Sequence, residues 1–158
     1  MVNMPAAVFD MYIAPIIGRI GWPFTSIHSS TFGTEWTNVL DHQSLETIAN
    51  LLWHRRDLPF SKIRFLPNSQ SIISRLRGCH LYGQPDPLSR ISDGRMRFFK
   101  FRQFSAQHGR IPAPAVLMFD NGAYRILDGN HRVAALASLP NASILMLDCW
   151  IGHKGKPL

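Results

Sequence analysis

The stretch Ala123–Leu139, AYRILDGNHRVAALASL, constrains the fold of this chain more than any other. Ile126 and Leu127 close an apolar run, Asp128-Gly129-Asn130 supplies turn chemistry, and Val133, Ala134, Leu136 and Ala137 then recur at helical spacing. The pattern predicts a buried strand, a tight turn and a helix over Arg132–Leu139 that opens on His131 and Arg132. A helix beginning directly after a glycine turn offers unpaired backbone N–H groups and the positive end of its dipole. With His131 and Arg132 at that point, the segment has the composition of a small site for phosphate or sulfate. A plainer alternative is that Asp128 or Asn130 caps the helix and Arg132 is a solvated charge.

The residues ILDGNHRVAAL also resemble the signature loop of the ParB/sulfiredoxin superfamily, in which a strand ends in a Gly-x-His/Arg-Arg loop that leads into a helix. Upstream, Gln107-His108-Gly109 followed by IPAPAVLMFDNGAY resembles that family's helix end, its proline-containing entry and its first hairpin strand. Downstream, Ile144–Ile151 resembles the strand after the helix. The resemblance implies an α/β fold of the α+β type, a small mixed sheet flanked by helices. It also implies a loop that wraps nucleotide phosphates. Carried onto this chain, Gly129 allows close backbone approach, while Asn130, His131 and Arg132 complete the cofactor-binding loop. The implied cofactor is a nucleoside triphosphate, ATP or CTP, with Mg2+. Asp128 has two roles open to it: capping the turn, or holding magnesium or accepting a proton from an attacking hydroxyl.

One departure from the family pattern bears on chemistry. Sulfiredoxins carry a reactive cysteine just before the His-Arg pair, where this chain has Asn130. An amide cannot act as a thiolate nucleophile, so sulfinic acid repair is not expected. The form Asp-Gly-x-His-Arg is closer to members that resemble nucleotide-dependent small-molecule kinases. DNA-partition members favour Gly-Glu-Arg-Arg, which is absent, and too little chain is expected after residue 152 for their helix-turn-helix domain. A phosphotransferase would need a general base outside the loop. Among Glu35, Asp41, Glu46 and Asp57, the irregular setting of Glu35 makes it the candidate, although a loop carboxylate is usually just solvated. Asp128, His131 and Glu35 are thus the candidate catalytic residues. His153 and Lys154 follow the last strand, within a tail read as a flexible end.

Charge is unevenly placed. Of the 17 Lys and Arg residues, twelve lie between Arg55 and Arg110 against three acids, and the chain carries a net charge of +7. Arginine predominates, the side chain shaped for bidentate phosphate contacts. Such a block suggests a polyanionic partner, nucleic acid first. Its densest part interleaves Arg95, Arg97, Lys100 and Arg102 with Phe98, Phe99, Phe101 and Phe104. These four cations are the candidate nucleic-acid contacts. Phenylalanines at helical spacing also make core, with arginines on the wet side.

The length of 158 residues and an apolar content of 46% fit one domain with a real core and exclude wholesale disorder. The expected division is an irregular segment over residues 1–40 packed on a ParB/sulfiredoxin-like domain over 41–158. Trp22, Phe24, Phe32 and Trp36 would pack that segment. No run of about 18 apolar residues is present, so a membrane span is not expected. The N-terminus makes a poor secretory signal, and Cys79 and Cys149 lack metal or disulfide-framework spacing. A cytoplasmic setting follows as the default.

Along the rest of the chain, Asp41–Arg56 reads as a helix with Leu45, Ile48, Leu51 and Leu52 on one face, and Lys62–Leu66 as a short strand. Ser69–Arg77 reads as a helix stopped by Gly78, residues 83–93 as a loop, and Asp93–His108 as a helix capped by Asp93. Val116–Phe119 and Tyr124–Leu127 flank Asp120-Asn121-Gly122, a hairpin signal, and Ile144–Trp150 reads as the last strand. Two function classes follow. One is a nucleotide-binding protein that hydrolyses a nucleoside triphosphate or transfers a phosphoryl group. The other is a nucleic-acid-binding protein or nuclease on the same fold that uses the basic region 55–110. The expected partners are therefore a nucleotide, with nucleic acid and a second copy of the chain as further candidates, and no membrane.

Overall fold

The computed structural model describes residues 3–20, 40, 43, 45–82 and 94–155. Its order is α1 (Ala6–Val8), a π-helical turn (Phe9–Ile13), α2 (Ala14–Ile20), α3 (Leu45–Ala49), β1 (Leu52–Pro59), a 3-10 turn (Phe60–Lys62), α4 (Pro67–Tyr82), α5 (Gly94–His108), β2 (Ala115–Asp120), β3 (Ala123–Asp128), α6 (Asn130–Ala137), a second 3-10 turn (Ala142–Ile144) and β4 (Met146–His153). The four strands form one mixed sheet in the order β1-β4-β2-β3, so the fold is mixed α/β, as the sequence implies. Among the described residues, no helix is long and apolar enough to cross a membrane.

The chain divides into two compact units. One takes the described residues up to His54 together with those from Gly152 onward, and the other takes Arg55–Ile151. In the first unit, Val8, Tyr12, Ile13 and Ile16 are buried along the N-terminal helical stretch. This corrects the reading of residues 6–20 as irregular. Pro15 cannot donate a backbone hydrogen bond and would crowd the carbonyl four residues back. The π turn just before it loosens the ladder there, so the helix passes through the proline. Trp22, Phe24, Phe32, Glu35, Trp36 and Asp41 lie outside the described residues, as do Asp93 and the loop at 83–93.

The helix read over Asp41–Arg56 is also corrected. Helicity stops at Ala49, where Leu51 N–H closes a tight turn onto the Ile48 carbonyl, and Leu52–Pro59 is strand. Leu52 is 37 % exposed, so it does not join the face formed by Ile48 and Leu51. The aromatic Trp53 and the terminal Pro59 both suit the edge of a sheet, which is where β1 lies. Gly152 closes on this strand within the first unit. A Cβ there would meet Leu51 Cδ1 at 2.8 Å and the Trp53 ring at 2.9 Å. His153 is buried and its ring lies 5.1 Å from that of His54, so the tail read as flexible from Gly152 is ordered strand at its start.

The second unit holds the larger core. Ile73 and Leu76 from α4, Phe98 from α5, Leu117 from β2, Leu136 from α6 and Leu147 from β4 meet in one cluster. α6 packs on both α4 and α5 through Val133, Ala134, Ala135 and Leu136, all fully buried. Its alanines let the neighbouring helices come close. α4 runs through Gly78 to Tyr82, because an interior glycine costs a helix only about 1 kcal/mol and packing outweighs it. Segment 62–66 is not a strand: Phe65 alone bridges Tyr124, flanked by two 2.8 Å backbone hydrogen bonds. The hairpin forms as read. β2 and β3 pair antiparallel around Asn121 (φ 50°) and Gly122 (φ 82°), which supply the two positive φ angles of a tight turn. On the exposed side Arg55 forks onto Asp148 through Nε at 3.1 Å and Nη2 at 2.8 Å.

Candidate functional site

β3 delivers the candidate loop to one end of α6. The register of the hairpin slips between Val116 and Leu117, so Val116 faces Asp128 while Leu117 faces Ile126. This bulge turns the strand end at the point where Asp128 leaves it. The buried Ser69 hydroxyl on α4 accepts a 2.9 Å hydrogen bond from the Ile126 N–H and fixes the strand from the other side. Gly129 then sits at φ 97° as the residue before the helix. No side chain caps α6. The expectation that Asp128 or Asn130 closes the first turn is therefore corrected. The first helical hydrogen bond runs from the Val133 N–H to the Gly129 carbonyl at 2.9 Å, so the N–H groups of the preceding turn precede the intrahelical ladder.

Arg132 does not point out to solvent. Its side chain is 16 % exposed and folds back over Gly129, with Nη2 3.0 Å from Asp128 Oδ2 and 3.2 Å from the Pro114 carbonyl. Arg132 Nε and Asn130 Oδ1 are buried and take no hydrogen bond. The Asp128 and Arg132 charges cancel locally, so the positive character of the loop rests on the helix end and on His131. The ion pair braces the turn: it ties the last residue of β3 to the first turn of α6 and to the segment entering β2.

His131 is half-buried, and its ring lies 5.8 Å from that of His80 on α4. His80 is 3 % exposed and stacks at 4.8 Å on Phe98 of α5. The structure thus brings together Asp128, Gly129, Asn130, His131 and Arg132, as their adjacency requires, and adds Pro114 and His80. Sequence reasoning missed both additions. The available signal for His80 was its position in the stripe Ile73, Leu76, His80 at helical spacing. Nothing in the local sequence marked Pro114. Glu35 lies outside the described residues. Lys154 is exposed just beyond β4, while the neighbouring His153 is buried.

The basic candidates lie on α5 and separate into two kinds. Arg95 and Lys100 are exposed, together with Met96 and Phe99, and Arg95 lies 5.7 Å over the Phe99 ring. Arg97 is half-buried, 5.9 Å over Phe101. Arg102 is engaged with α6: its Nε donates to Ser138 Oγ at 3.0 Å, and that hydroxyl donates to the Ala135 carbonyl at 2.6 Å. Phe98 is fully buried. The aromatic run is therefore part core and part surface.

Among the described residues no group of three or more His, Cys, Asp and Glu side chains could hold a metal ion. A nucleotide-borne Mg2+ takes one or two protein carboxylates besides phosphate oxygens, so Asp128 fits as a single ligand, not as part of a cage. Comparison with protein-family models, with curated proteins and with solved structures finds no match to this chain.

Proposed function

We propose that this chain binds the phosphates of a nucleoside triphosphate at the opening of α6, and hydrolyses it or transfers a phosphoryl group to a small acceptor. The observation that carries the reading is the uncapped N-terminus of α6 behind Gly129, whose positive φ brings the backbone round without a side chain in the way. Backbone N–H groups of the first turn would take phosphate oxygens, aided by the helix dipole. His131 adds a donor, and a positive charge when protonated. Arg132 acts mainly as a brace, its guanidinium held by Asp128 and Pro114. Asp128 would either receive a proton from the attacking hydroxyl or share a Mg2+ ion that arrives with the triphosphate. The likeness of the loop to that of ParB/sulfiredoxin proteins supports the same reading.

Thermal denaturation with ATP, CTP, GTP and ADP, each with magnesium, tests it. A nucleotide at about one hundred times its Kd should stabilise the protein by roughly 2.7 kcal/mol. Arg132→Ala should abolish that increment, because the loop loses its brace. No stabilisation of the wild-type protein by any nucleotide would refute the reading.

A second reading is favoured by the exposed Arg95, Met96, Phe99 and Lys100 on α5, where cations and a ring share one surface. Single-stranded nucleic acid binds such surfaces through phosphates and stacking. Replacing Arg95 and Lys100 with Ala should lower the slope of log affinity against log salt by about 1.4, at about 0.7 per phosphate contact. It should leave nucleotide stabilisation unchanged. An unchanged slope, measured by fluorescence anisotropy, would exclude this surface.

A further inference from the structure

We infer that His80 is a positioning residue for His131: the buried ring column Phe98–His80–His131 fixes the His131 imidazole at the opening of α6 and couples its protonation to a second imidazole held in the core. The ligand in this inference comes from the phosphate reading above, while the geometry does not depend on it.

The column crosses three helices. Phe98 of α5 is fully buried and lies against His80 of α4, with centroids 4.8 Å apart and planes 28° apart. On the other side, the His131 ring of α6 meets His80 at 5.8 Å and 44°. His80 occupies a core position where the neighbouring stripe residues, Ile73 and Leu76, are aliphatic. An aliphatic side chain would fill that volume without bringing a polar ring into the interior. What histidine adds is a flat face for Phe98 and a titratable partner for His131.

Two imidazoles in ring contact, one of them shielded from water, do not take up protons independently, because the first charge opposes the second. The other titratable and charged groups placed around the pair are few. From α4, Cys79 Sγ lies 3.7 Å from His80 Nδ1. From α5 the facing group is the uncharged Phe98. From the loop entering α6 come Asp128 and Arg132, which neutralise each other. Burial makes His80 the poorer site for a proton, so the charge resides on His131, beside the helix end, where an anion gains from it. The same contact restrains the His131 ring before any ligand arrives, which lowers the entropic cost of binding.

The test uses inorganic tripolyphosphate and ATP as probes, titrated calorimetrically between pH 5.5 and 8.5. Wild-type affinity should fall several-fold as pH rises and His131 loses its proton. His131→Gln should show a flat profile. His80→Phe keeps a ring of similar volume in the column and removes the competing imidazole, so the midpoint of the profile should move up by about half a pH unit or more. A midpoint unchanged from wild type overturns the inference. NMR titration of the imidazole protons in the ligand-free wild-type protein decides the matter without any variant. Mutually dependent curves for His80 and His131 support the coupling, and two independent single-site curves overturn it. If neither probe binds the wild-type protein, the phosphate reading fails while the NMR curves still judge the histidine pair.

Discussion

A methyl group at position 129 would meet Arg132 Nη2 at 2.9 Å and Nε at 3.2 Å, on a backbone held at φ 97°. Both facts oppose any side chain there. Left-handed backbone costs an L-residue roughly 1–2 kcal/mol, and displacing the guanidinium would also weaken its hold on Asp128 and Pro114. Gly129→Ala should therefore destabilise the fold by about 2–3 kcal/mol in urea denaturation and remove nucleotide stabilisation. The five residues Asp128–Arg132 stood out in the sequence because a polar cluster sits between two apolar runs. Their arrangement was less legible. Asp128 and Arg132 are four apart, the spacing of a helical ion pair, yet only the fold shows that the guanidinium turns inward to reach Pro114 as well. Pro114 and His80 join the loop through tertiary packing, which no local pattern reports.

Local chemistry dominated the elements that could be read correctly. The hairpin rests on two residues, Asn121 and Gly122, both in positive-φ backbone, and no distant contact is needed to specify it. Gly122→Ala should cost about 1–2 kcal/mol through backbone strain alone, since nothing lies within 4 Å of the added carbon. A urea midpoint equal to wild type would show that the turn can change type. α5 was also legible, from the periodicity of its phenylalanines and the glycine that follows it. The failures share a cause: a local signal was outweighed by packing. Pro15 suggested a break where a π turn carries the helix through, and Gly78 suggested a stop where the buried Ile73, Leu76, Cys79 and His80 keep α4 going. Conversely, Leu51 and Leu52 prolonged a helical pattern across a boundary where Trp53 and its neighbours belong to the sheet edge.

At the scale of the whole molecule, stability should depend on alkaline pH through groups far from the candidate loop. Burial, followed by the nearby Asp148 and Asp57 charges, pushes the Cys149 thiol up to about 12. Burial, then proximity to Cys149, also raises Tyr124 above the usual phenol range. Each group keeps its proton longer when folded than when unfolded. Their contribution is complete below about pH 8.5, where the unfolded thiol is still protonated. It is lost as pH rises from there toward 12, at up to about 1.4 kcal/mol per pH unit for the thiol. Urea denaturation from pH 7 to 10.5 should show this fall, and Cys149→Ala should flatten it; an equal fall in both proteins would place its origin elsewhere.

The division of the chain carries a different consequence, for the order of events during synthesis. The unit formed by Arg55–Ile151 is contiguous, whereas the other is split by it in sequence and needs Gly152 and His153 to lie beside Leu51, Trp53 and His54. A ribosome releases the amino end first, and chains usually fold in that order. Here the later-made unit has all its residues before the earlier-made one does, so the first-translated helices wait on the last strand to emerge.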